Sequence, residues 1–181
     1  DKGKGGKYLF VHSDYKGDIP KGYFVAKTPS YRNMLLMRAF VKDGDIAGAV
    51  QGVKSKFNIY PLSEAANPPK QRFVNISGMQ FNTVHANNFD FYKELNEVIQ
   101  YEPANSFNPE IVGLFAAVGI KKGTPFKPDA RMKKILTEAV AVGNVTARTL
   151  SYAPRNKSVY FYPDRKWSSP FAGGSSEFMN N

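Results

Sequence analysis

A chain of 181 residues, 42% hydrophobic and 14% aromatic, is long enough for one core, and a fold of that size buries roughly 70% of the surface its unfolded chain exposes. Its 25 Lys and Arg against 15 Asp and Glu give a formal charge of +10, which favours anionic partners through an attraction that salt weakens. With no Cys, thiolate catalysis, disulfides and thiolate metal sites are excluded, and two His are a poor supply for a His metal cluster; no apolar run reaches the ~20 residues of a membrane helix, so no metal or membrane span is expected, and no cofactor is assigned.

The glycine cluster Gly3, Gly5 and Gly6 precedes a strand, Lys7 to Val11, instead of opening a helix, so it does not meet the geometry of a phosphate loop. His12 and Asp14 at the strand end read as a surface hydrogen bond more readily than as a proton shuttle. Residues 14–22 are dense in turn formers, and Tyr23 to Lys27 and Met34 to Val41 read as two further strands. The second is nearly all apolar, which predicts burial on both faces, with Arg38 in its middle needing either a structural ion pair or a bound anion.

Asp45 is placed as the N-cap of a helix carrying Ile46, Ala49, Val50 and Val53, after which Phe57 to Leu62 resumes extended structure. Residues 65–86, with Pro68-Pro69, form a linker or crossing segment in which Phe73 to Val84 can supply one more strand. Asn87 or Asn88 caps a helix striped with Phe91, Leu95, Val98 and Ile99 and closed near Pro103. Asn108 and Pro109 open the next, and Pro128 takes the same first-turn place in a long helix.

That last pair, from Ile111 to Leu150 around a loop at 119–129, organises the fold. Met132, Leu136, Ala139, Gly143, Ala147 and Leu150 share one helical face, and the small members predict close approach of another backbone. Ser158 to Tyr162 reads as a return strand, followed by Asp164, the single Trp167 and a Gly-Ser tail. The expected fold is therefore α+β: a small, mostly antiparallel sheet of five or six strands covered by the helical hairpin and one or two further helices. Its parts are a strand-rich 1–64, the 65–86 crossing, a helical 87–153 and a return strand and tail at 154–181, all in one compact unit.

Certain runs carry a resemblance. Gly5-Gly6-Lys7-Tyr8-Leu9, Gly22-Tyr23-Phe24, Leu36-Met37-Arg38, Asp43-Gly44-Asp45 and Tyr60-Pro61-Leu62 resemble the bacterial family catalogued as domain of unknown function 1254. Val118-Gly119-Ile120, Pro125-Phe126, Pro128-Asp129 and Tyr162-Pro163-Asp164 with Trp167 and Gly173-Gly174 are similar to the stretch joining it to a companion, domain of unknown function 1214. The resemblance implies a longer parent with a β-rich companion domain, of which this chain is an internal fragment, and a periplasmic or envelope location, with the cytoplasm as the alternative. It transfers no catalytic residue.

Three functions compete. The first is a module contributing to an inter-domain or ligand-binding surface, with Arg38, Tyr60, Tyr162, Asp164 and Trp167 as candidates facing the companion domain or a small anionic or aromatic ligand; self-association is compatible with it. The second is a carboxylate hydrolase, in which Asp164 between Tyr162 and Trp167 has a setting that could raise its pKa. The third is nonspecific anion or nucleic-acid binding by Lys121, Lys122, Arg131, Lys133, Lys134 and Arg155 to Lys157. The spread of basic residues along the whole chain makes solvated surface the better account, and nucleic acid is not an expected partner.

Overall fold

The structure, a computed structural model, describes residues 5–169. The chain divides into two compact units, residues 1–82 and 83–181.

The first unit holds β1 (Lys7–His12), β2 (Tyr23–Thr28) and helix α1 (Ile46–Lys56). β1 and β2 pair in parallel, Lys7 against Tyr23 through His12 against Thr28. Tyr8 and Phe24 are cross-strand neighbours with ring centroids 5.2 Å apart, and the Lys7 amine lies 5.9 Å from the Tyr23 ring. α1 starts where its sequence says: the Asp45 carboxylate accepts from the Gly48 amide at 2.8 Å, and Lys54 and Lys56 sit at the negative end of the helix dipole. The turn before it uses Asp43 and Gly44 at positive φ.

Unit two is helical: α2 (Asp90–Tyr101), α3 (Pro109–Ala117) and α4 (Ala130–Tyr152), then a short hairpin of β3 (Tyr160–Tyr162) and β4 (Arg165–Ser168). Asn88 accepts from the Asp90 amide at the start of α2. Asn108 accepts from Glu110 at the start of α3, with Pro109 in the first turn as expected. α4 is capped by Asp129, whose carboxylate accepts from Met132 at 2.7 Å, so Pro128 lies outside the helix and not in its first turn.

α3 ends in a Schellman turn. Gly119 at φ 90° lets its own amide reach the Ala116 carbonyl (3.0 Å) and the Ile120 amide reach that of Phe115 (2.9 Å), and the accompanying apolar contact drives Ile120 inward to 1% exposure. The loop that follows is clipped to α2. Gln100 accepts from the Gly123 amide at 2.8 Å and donates to the Lys121 carbonyl at 2.8 Å, while the Lys122 amine donates to the carbonyls of Gln100 and Glu102. Those are orphan carbonyls at the negative end of α2, where a cation is favoured. The core of this unit is Tyr92, Ile99, Ile120, Leu136 and Val140, with Phe89, Phe115, Phe126 and Met132 packed around it. Every member belongs to a helix or its adjoining turn.

Several expectations are corrected. There are four strands among the described residues, in one parallel and one antiparallel pair, and no antiparallel sheet of five or six. Turn-forming residues between His12 and Tyr23 fix where the chain bends but not its net direction, and here the ten residues 13–22 carry it back along β1, a connection shorter than the dozen or so residues usual between parallel strands. Residues 34–41, 57–61 and 73–84 form no ladder. A strand exists only through its partner, and none of these segments has one among the described residues. On α4 the expected face holds at Met132 and Leu136, but its small members Ala139, Gly143 and Ala147 are exposed, and the buried line continues through Val140, because larger apolar side chains dominate the choice of face. Strand β4 was not anticipated.

Candidate functional site

The five residues expected to share a surface are divided between the two units: Arg38 and Tyr60 in the first, Tyr162, Asp164 and Trp167 in the second. Tyr162 and Asp164 do come together, in a groove of about 640 Å³ at the β3–β4 hairpin that Lys157 and Tyr160 also line. Arg165 organises it. Its guanidinium meets Asp164 through two hydrogen bonds, 3.1 and 2.7 Å, and lies 5.2 Å from the Tyr162 ring centroid. Lys157 stands 5.3 Å from the Tyr160 ring. Trp167, on β4, is exposed, and it is not part of the groove wall.

The chemistry of Asp164 is thereby set in the direction opposite to that of a general acid. The hydrogen bond from Arg165 holds its carboxyl below the usual aspartate range, and the same contact raises the guanidinium. Among the described residues that line the groove Asp164 is the single carboxylate, where a glycosidase-type pair needs two about 5 to 10 Å apart. The arrangement is an aromatic-backed ion pair open to water.

Arg38 is neither buried nor engaged in an ion pair among the described residues, which removes the premise that its guanidinium must be satisfied inside the fold. It stands in the exposed ribbon 34–41. Tyr60 is half-buried beside the loop where the Ile59 amide donates to Gln71 at 3.0 Å. At the strand end, His12 accepts from the Asp14 amide and its other ring nitrogen lies 3.1 Å from the Pro29 carbonyl, a surface arrangement of the expected kind.

A second groove, of about 620 Å³, was not foreseen. Ala39 and Val41 from the ribbon, Ile46, Val50 and Val53 from α1, and Phe73 and Val74 from the later segment line it. Its trace in the sequence is the apolar stripe of α1, Ile46, Ala49, Val50 and Val53. Lys122, by contrast, was grouped with the basic residues of an anion-binding surface, and the structure occupies it as the cap of α2. Among the described residues no three His, Cys, Asp or Glu converge as metal ligands, and no helix is long and apolar enough to cross a membrane.

Taken together, this is an α+β protein with a cored helical unit and a sheet-bearing unit in which no described side chain is fully buried. Residues 1–61 match the family described as "Protein of unknown function (DUF1254)". The match does not extend to the companion domain of unknown function 1214. No curated protein matches the chain.

Proposed function

We propose that this is a module of a larger bacterial envelope protein, non-catalytic in itself, whose first unit presents an apolar surface that a β-rich companion segment of the same polypeptide covers. One observation carries the reading: the ribbon 34–41 exposes Met34, Leu36 and Phe40 by more than two thirds each, Phe40 entirely. Full burial of each such side chain stabilises by about 1.5–3 kcal/mol, so a covering segment gains several kcal/mol from these three alone. The β1–β2 pair adds to it. Two strands are too few for an independently stable sheet, and parallel pairs occur almost always inside larger sheets covered on both faces.

The hydrolase reading is not favoured, because Asp164 is a low-pKa, solvent-exposed carboxylate paired with Arg165. The envelope location is an extension of the family likeness, and fractionation of the source cells tests it.

The interface itself is tested by hydrogen exchange on the chain alone and on the same residues within the longer parent polypeptide. The reading expects amides 34–41 to exchange freely in the chain and to be protected at least tenfold in the parent, with loss of fluorescent-dye binding to apolar surface. Equal exchange and equal dye binding in the two would refute it.

A further inference from the structure

The ribbon 34–41 has a two-sided pattern. Met34, Leu36 and Phe40 are 87%, 71% and 100% exposed, while Leu35, Met37 and Val41, at the alternate positions, are 48%, 45% and 49% exposed. A period of two is that of an extended strand, with one side turned toward the groove that Ala39 and Val41 line and the other turned outward. No helix, turn or ladder engages these residues, and their backbone makes no hydrogen bond among the described residues. Arg38 stands at the centre of the outward side. From Tyr31 to Lys42 the chain carries Arg32, Arg38 and Lys42 and no acid.

We infer that residues 34–41 are an acceptor strand for β-addition, and that the strand they accept carries a carboxylate opposite Arg38 with apolar side chains two positions to either side. The inference rests on the interface proposed above and gives its occupant a chemistry. Covering Met34, Leu36 and Phe40 necessarily removes water from Arg38, and a guanidinium so desolvated requires an anionic partner. Directly opposed positions of paired strands bring side chains within about 5 Å, close enough for a two-point Arg–carboxylate contact. A strand also satisfies the free amides and carbonyls of the ribbon, which an anionic lipid surface does not.

The test uses the whole chain and the peptide acetyl-Val-Thr-Ile-Glu-Ile-Thr-Val-amide, with versions carrying Gln or Lys in place of the Glu. The inference expects the Glu peptide to protect amides 34–41 from exchange, to bind at least tenfold more tightly than the Gln version, and to lose to the Lys version in the Arg38→Glu variant. Arg38 is exposed, so that variant keeps the fold. Affinity indifferent to the central residue overturns the inference, as does protection of 34–41 by anionic phospholipid vesicles but by none of the peptides. The companion-segment reading fails separately, when the parent polypeptide leaves 34–41 unprotected. It survives if the parent protects 34–41 equally well with Arg38 or with the Arg38→Glu replacement, a result that sinks the acidic-strand inference alone.

Discussion

The two units of this chain, similar in length, treat their apolar residues in opposite ways. In residues 83–169 five large side chains, Tyr92, Ile99, Ile120, Leu136 and Val140, close over one another, and a Schellman turn, two side-chain caps and a glutamine clip hold the helices in register. In residues 5–82 no side chain is buried, although Phe10, Phe24, Met34, Leu36, Phe40 and Ile46 are all present. The contrast is one of locality. Helices satisfy their backbone within themselves and need only one apolar face covered, whereas a strand is incomplete in its hydrogen bonds and on both faces until other strands arrive. The first unit has sheet-forming residues and too little sheet.

Substitutions should separate the units sharply. Leu136→Ala removes the most enclosed side chain of α4, 2% exposed, and is expected to cost the helical unit about 2–5 kcal/mol, seen as a lowered denaturant midpoint by circular dichroism. Removing the cap of the same helix, Asp129→Ala, is expected to cost about 1 kcal/mol in the same measurement. A loss as large as that of Leu136→Ala would mean that Asp129 does more than cap.

Alkaline pH offers a smaller effect. Burial raises the Tyr92 hydroxyl above its ordinary value of 10.0. The folded unit therefore holds that proton to higher pH than the unfolded chain does. Its stabilisation is complete below about pH 10 and declines as pH rises through the raised value. Thermal melts from pH 8 to 11 should show this decline, and Tyr92→Phe should flatten it. Smallest of all, Phe40→Ser is expected to leave stability within about 0.5 kcal/mol, since none of the described residues covers that ring, while lowering the binding of apolar dyes.

How much of this was legible in the sequence follows the same division. Asp45, Asn108 and the loop at 119–129 could be read because a cap or a turn depends on residues three or four apart. The hairpin groove at Tyr162 and Asp164 was half legible: the residues were named, but the neighbour that fixes their chemistry, Arg165, was passed over, and with it the sign of the Asp164 shift. The Met34 to Val41 run was read as a strand buried on both faces. Its composition does call for that, and what composition cannot contain is whether a partner lies within the chain. The sheet sense failed for a related reason, since pairing direction is settled between distant segments. On α4 the face is right at Met132 and Leu136 and departs one turn later, because Val140 outweighs Ala139 when both stand near the seam.

The central claim is that the helical unit is self-supporting while the sheet-bearing unit awaits a partner. Native-state hydrogen exchange of the whole chain, resolved by residue, tests it most directly. The account predicts slow exchange through Leu95 to Ile99 and Leu136 to Val140, limited by global unfolding of that unit, and exchange at 34–41 close to the rate of an unstructured peptide. Protection of 34–41 comparable to that of α4, in the chain alone, would contradict it.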